Sequence, residues 1–251
     1  MPDTESENSV EPKSTPESGR TFDDFPEGWP VAPTRVYRIA YPWMRVGFRG
    51  LARILAPRLD ISGSVNVPRR GAVLLTPNHI SDADPPLVSL AAPRPLFFMA
   101  KREIFGIKNL GPLIRFFGAF PVDPHGSDRA ALRYAQMLLE NKQAVVVFPE
   151  GRCSPSAELE PALPGAVMLA LRAGAPVVPV GIWNTPCLVP YASTIPRPSL
   201  ARVVIHFAPP IRFDDLAHLP KRQAREIATQ RLHDAIAAAR AVAIERAARW
   251  N

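Results

Sequence analysis

The chain has 251 residues, 47% apolar and 21% charged, with a net charge of +7. The apolar share suits one globular core and excludes wholesale disorder, while thirty prolines against fourteen glycines exclude a collagen-like repeat or a glycine linker. Cys153 and Cys187, neither with a C-x-x-C partner, exclude a disulfide scaffold and point to reduced thiols in a reducing compartment.

Residues 1–27 hold eight acids and two bases, a local charge of −6 that leaves +13 on the remainder. The first twenty residues lack apolar periodicity and the basic-then-apolar layout of a signal peptide, so 1–34 is expected to be a disordered acidic tail. A body at +13 suits nucleic acid, an anionic membrane or phosphorylated small molecules, and charge alone does not choose. No window reaches the roughly 18 uninterrupted apolar residues of a membrane-spanning helix.

Residues 35–59 mix apolar side chains with arginines. At about 100° per residue, Arg35, Arg38, Arg45, Arg49 and Arg53 fall within roughly 80°. Trp43, Met44, Phe48, Leu51, Ile54 and Leu55 share an arc of about 140° on the other side. That pattern predicts an amphipathic helix in a membrane interface, with Trp43 as an anchor. A helix packed on the domain with a solvated basic face satisfies the same spacing. Pro42 would kink or start it.

From residue 60 onward, short apolar runs alternate with helical patterns. Ala72–Thr76, Leu96–Ala100, Ala144–Phe148, Val177–Ile182 and Val203–Phe207 read as buried strands. Between them, Ser127 can cap a helix over Ala130–Asn141, and Gly165–Ala173 and Lys221–Trp250 read as further helices. The expected fold is one α/β domain over 60–251, a largely parallel mixed sheet flanked by helices.

Asn78-His79-Ile80-Ser81-Asp82-Ala83-Asp84 follows the first apolar strand, where α/β proteins place their sites. His79 and Asp84 are five apart, about 140° around a helix, so they meet only if His79 is on the loop and Asp84 in the next helix's first turn. A carboxylate holding one imidazole nitrogen leaves the other as a general base. The alternative is a surface histidine beside a helix-capping aspartate. His125, His206, His218 and His233 have no matched constellation, the cysteines lack metal-ligand spacing, and no metal site is expected.

Four ordered stretches resemble the glycerolipid acyltransferase family, that of 1-acylglycerol-3-phosphate acyltransferase. Asn78-His79-x-x-x-x-Asp84 resembles its N-H-x-x-x-x-D block. Met99 to Glu103 through Gly111, Gly118 and Pro121-Val122-Asp123 resembles the second block, and Phe148-Pro149-Glu150-Gly151 the start of F-P-E-G-T-R-S. Val177-Val178-Pro179-Val180 resembles the fourth. The chain departs twice: Arg152 stands one position early after Gly151, and Asp123 precedes Pro124 instead of arginine.

The resemblance implies catalysis by His79, supported by Asp84, with the thioester of acyl-CoA or acyl carrier protein as co-substrate and no resident cofactor. The chemistry agrees. An alcohol of pKa about 16 attacks a thioester at neutral pH only if a base takes its proton, and no G-x-S-x-G elbow supplies a serine nucleophile. Gly151 would let substrate approach the backbone, Arg152 offers phosphate a bidentate fork, and Glu150 would bond a glycerol hydroxyl or orient Arg152. Lys101 is a second phosphate candidate; Arg115 and Arg129 are weaker ones.

The expected protein is a peripheral enzyme on the cytoplasmic face of an anionic membrane, acylating 1-acylglycerol-3-phosphate to phosphatidic acid. A different acceptor, such as glycerol 3-phosphate, another lysophospholipid or a lyso-aminolipid, keeps the same machinery. A non-catalytic basic membrane-binding module is the rival class. Nucleic acid is not an expected partner, since the arginines belong to no recognisable binding motif.

Overall fold

The computed structural model of the chain describes residues 33–249 except 124–128, 192 and 194. The expected acidic tail therefore lies almost wholly outside the described residues, as do Ser127 and Trp250. Thr34 starts the first helix: its Oγ1 accepts the Tyr37 N–H at 3.1 Å and α1 spans Arg35–Leu55, running through Pro42. It then stops, and residue 59 opens a strand rather than prolonging the helix.

Alternating elements follow: β1 (Leu59–Ser62), β2 (Val73–Pro77), α2 (Asp84–Ala91), β3 (Phe97–Lys101), α3 (Leu110–Phe116) and β4 (Ala119–Val122). The second half contributes α4 (Arg129–Glu140), β5 (Ala144–Val146), α5 (Gly165–Ala173), β6 (Val177–Trp183), β7 (Val203–Phe207) and α6 (Lys221–Ala248). The strands form one sheet, ordered β1-β7-β6-β2-β5-β3-β4. Its pairings are parallel except β6 with β7, so β1 and β7 run against the rest. The largely parallel mixed sheet is the expected one.

The apolar runs are continuous because helices cover both faces. One face packs with Val88, Leu96 and Ala91, the other with Leu138, Leu232 and Ile236. β2 is buried along its whole length at the sheet's centre. Gly181 shows how closely α6 is seated: a Cβ there would lie 2.1 Å from the Ala239 carbonyl oxygen. From β2 the chain passes beyond β5 to β3, later returning to fill β5 and then crossing to β6. The carboxyl end of β2 thus faces a point where the connections diverge, the usual place for a ligand crevice in such sheets.

The helix α1 is three-sided, which corrects the two-sided expectation. Tyr37, Tyr41 and Ala52 are buried against the domain, with Met44 and Leu55 half-buried on that side. The Tyr37 hydroxyl donates to the Phe117 carbonyl at 3.3 Å, and the Tyr41 hydroxyl to that of Arg94 at 2.7 Å. Both ties lie on the N-terminal side of Pro42 and anchor the helix just before the position that lacks an N–H. Arg35, Arg38, Arg49 and Arg53 are exposed on a second side. Arg45 instead tucks over the Tyr41 ring, 5.9 Å from its centroid, and donates to the Leu90 carbonyl. The third side carries Val36, Ile39, Trp43, Val46, Leu51 and Ile54, all exposed, Trp43 at 77%. The predicted arc is therefore divided: Trp43, Leu51 and Ile54 face outward, Met44 and Leu55 inward.

Candidate active site

His79 leaves β2 on a loop held from two sides. Asn78, fully buried, donates from Nδ2 to the Ile182 carbonyl at 3.1 Å and accepts the Ile182 N–H at 2.7 Å. This two-bond clamp fixes the loop's first residue to β6. The Ser81 hydroxyl donates to the Val189 carbonyl at 2.7 Å, and the Ser154 N–H donates to the His79 carbonyl at 2.8 Å. The His79 ring stacks on Phe148, with centroids 4.1 Å apart.

Asp84 is the first residue of α2, placed as the spacing requires. Its Oδ2 accepts His79 Nδ1 at 2.9 Å and the N–H groups of Ile80 and Ser81 at 2.7 and 2.9 Å. Its Oδ1 accepts the Thr185 hydroxyl at 2.5 Å. The carboxylate can only accept, so Nδ1 carries the proton and Nε2 keeps its lone pair. His79 also lines the large cavity described below.

Glu150 does something the sequence reading did not foresee. Its Oε1 accepts the His79 N–H at 2.7 Å and its Oε2 the Glu160 N–H at 3.0 Å. The side chain is buried and brackets the two loops. Burial pushes its acid upward, against the two backbone donors that favour the carboxylate. Gly151, at φ 72°, makes the turn a side chain would strain.

Arg152 extends from that turn and is bound at its fork by Glu160, Nε to Oε2 at 2.7 Å and Nη2 to Oε1 at 3.0 Å. That hydrogen-bonded carboxylate raises the guanidinium above its ordinary value. Lys101 closes β3 with its side chain exposed. Cys153 is half-buried, and desolvation pushes its thiol up to about 12, helped by Asp84 and Asp82. Such a thiol is no nucleophile at neutral pH.

A cavity of about 1220 Å³ opens at this end of the sheet and gathers His79, Lys101, Gly151 and Arg152 on its lining. Its apolar depth includes Phe98, Ile114 and Phe117, and Tyr37, Tyr41 and Met44 of α1 form part of its wall. Of the weaker candidates, Arg129 lines it. Arg197, which sequence reasoning missed, also lines it, from the segment between β6 and β7. Missed as well were Thr185 and Glu160, whose roles depend on partners distant in sequence or on a loop without periodicity. Among the described residues no three metal-ligating side chains gather, and no helix is long and apolar enough to cross a membrane.

A family model described as Acyltransferase matches residues 58–183. The 1-acyl-sn-glycerol-3-phosphate acyltransferase of Borreliella burgdorferi is 23% identical over 150 residues, 59% of this chain and 60% of that protein. The chain thus spans about three-fifths of that relative's length. The protein of the same name from Bacillus subtilis is 27% identical over 144 residues, 57% of this chain and 68% of its own. The crystal structure of the 1-acyl-sn-glycerophosphate (LPA) acyltransferase PlsC from Thermotoga maritima superposes with a TM-score of 0.64 and 25% identity. It covers 81% of this chain and 80% of that one.

Proposed function

The chain belongs to the acyltransferase family, and from that premise we propose that it transfers a fatty acyl group from a thioester donor to 1-acylglycerol-3-phosphate, giving phosphatidic acid. The observation that carries this reading is the His79 Nδ1–Asp84 Oδ2 bond at 2.9 Å on the lining of an apolar cavity of about 1220 Å³. The names of the relatives support the acceptor.

The steps follow from the geometry. Nε2 of His79 takes the proton of the acceptor's hydroxyl as its oxygen attacks the thioester carbonyl carbon. Asp84 supports the imidazolium that forms and holds the ring's orientation through Nδ1. Collapse of the tetrahedral intermediate breaks the carbon–sulfur bond, and the departing thiolate of coenzyme A or acyl carrier protein takes the proton back. The chain needs no covalent acyl-enzyme and no resident cofactor for this sequence. Lys101 and Arg152 provide cations for the acceptor's phosphate, and the apolar lining suits an acyl chain.

The acceptor reaches this site from a bilayer. The outward apolar side of α1, from Val36 to Ile54, lies beside a row of exposed arginines on the same helix. Together they suit peripheral docking on an anionic leaflet, with the cytoplasmic face the natural one for a protein with unpaired cysteines. A second reading changes only the acceptor. It is favoured by the Glu160 carboxylate in the fork of Arg152, which leaves less free positive charge for a phosphate than the sequence promises. A non-catalytic module would have no use for a histidine whose ring is held by Asp84 and whose backbone is tied to Glu150 and Ser154.

Purified protein given labelled palmitoyl-CoA and a panel of acceptors tests the proposal. Labelled phosphatidic acid as the main product supports it. Acylation of glycerol 3-phosphate or of a lyso-aminolipid in preference moves the assignment to the second reading.

A further inference from the structure

A continuous run of hydrogen bonds joins the proposed base to the proposed phosphate ligand. The His79 N–H donates to one oxygen of Glu150, and the Glu160 N–H donates to the other. The Glu160 side chain then turns back to accept both Nε and Nη2 of Arg152. The rest of this loop is tied down as well. Arg240 donates to the Ala157 carbonyl at 3.1 Å and to Glu158 at 2.8 Å, and the Leu163 N–H donates to the Pro149 carbonyl at 2.8 Å. A fastened backbone therefore delivers the Glu160 carboxylate to the arginine.

Two coplanar oxygens at a guanidinium fork are how arginine binds either a carboxylate or a phosphate. Glu160 already presents that arrangement to Arg152, which lines the substrate cavity. The Arg152 side chain is 70% exposed and Glu160 20%, so another anion has access and water weakens the existing pair.

We propose that Glu160 is a specificity-determining residue of the acceptor site. In the empty enzyme its carboxylate holds the Arg152 fork, and a phosphomonoester headgroup replaces it there on binding. The inference rests on the reading of Arg152 as a phosphate ligand. The exchange filters acceptors by charge. A dianionic phosphate offers the arginine a stronger partner than the carboxylate it releases. An uncharged headgroup offers nothing in return, so the pair stays closed.

The test measures KM in mixed micelles with palmitoyl-CoA as donor, for 1-acylglycerol-3-phosphate and for neutral monoacylglycerol. It compares the wild type with Glu160→Gln, Glu160→Ala, Glu158→Gln and Arg152→Ala, each checked for fold by circular dichroism. Removing the competitor is expected to lower KM for the phosphorylated acceptor about two- to fivefold, the range an exposed ion pair is worth. Both Glu160 variants should do this and leave KM for monoacylglycerol where it was. Glu158→Gln removes the same charge from the same loop but leaves the fork closed, and should not lower KM. A raised KM in Glu160→Gln would make Glu160 a brace for Arg152 and overturn the proposal. An equal fall in Glu158→Gln would overturn it too, by assigning the effect to overall charge. Arg152→Ala separates the two layers. If it raises KM for the phosphorylated acceptor while Glu160→Gln does not lower it, only the exchange fails; if it changes nothing, the phosphate reading falls with it.

Discussion

The hydroxyl of Thr185 donates to Asp84 Oδ1 at 2.5 Å across 101 positions of sequence. Among the described residues it is the one side-chain donor on that oxygen, while Oδ2 serves His79 and two backbone N–H groups. Thr185 therefore helps keep Oδ2 aimed at the imidazole.

Thr185→Val should lower kcat with little change in acceptor KM, because it loosens the base's support without touching substrate. Losing a hydrogen bond to a charged group should also cost about 1.5–3 kcal/mol of stability, read from urea unfolding. A variant with raised KM and normal kcat would place Thr185 in substrate binding instead.

Glu150→Gln should impair both fold and turnover. Each carboxylate oxygen accepts a backbone N–H, so an amide nitrogen must face one of the two donors. The unsatisfied contact should cost about 1–3 kcal/mol, and kcat should fall as the His79 backbone shifts. Unchanged stability with a purely raised KM would return Glu150 to the role of acceptor ligand that the sequence suggested.

Much of this arrangement was legible in the sequence, for identifiable reasons. The β2 and β6 runs are buried on both faces and read as apolar segments, β7 is apolar except for the half-buried His206, and α5 lies at the expected residues. The short strands β1 (Leu-Asp-Ile-Ser) and β4 (Ala-Phe-Pro-Val) lie at the sheet's two edges, partly exposed, and give no such run. His79 and Asp84 could be paired from local spacing. Thr185 and Glu160 could not, because their partners are set by tertiary contacts. The helix α1 misled for another reason: periodicity marks apolar residues without saying whether protein or another surface covers them.

Cys153 should be dispensable. With its thiol pushed up to about 12, only ~10⁻⁵ of it is thiolate at pH 7. Cys153→Ala should keep turnover within about threefold, and iodoacetamide at pH 7.5 should react with Cys153 far more slowly than with a free thiol. Loss of activity in parallel with alkylation would point to a covalent acyl-cysteine.

The outer sides of α1 should govern membrane binding. Replacing Arg38, Arg49 and Arg53 by glutamate should weaken sedimentation with anionic liposomes, since each arginine near such a surface contributes about 1 kcal/mol. Replacing Ile39, Trp43 and Ile54 by serine should weaken it at any salt concentration. Arg45 is left in place because it is engaged with Tyr41 and Leu90. Equal binding to neutral and anionic liposomes, unmoved by either set, would make these sides of α1 ordinary solvated surface.

The central claim is that His79 is the base that activates the acceptor. Its most direct test is the rate of labelled acyl transfer from palmitoyl-CoA to 1-acylglycerol-3-phosphate by His79→Ala, with folding confirmed by circular dichroism. Loss of general base catalysis predicts a fall of about 10²- to 10⁴-fold in kcat. A folded His79→Ala protein that turns over at near the wild-type rate would contradict the mechanism.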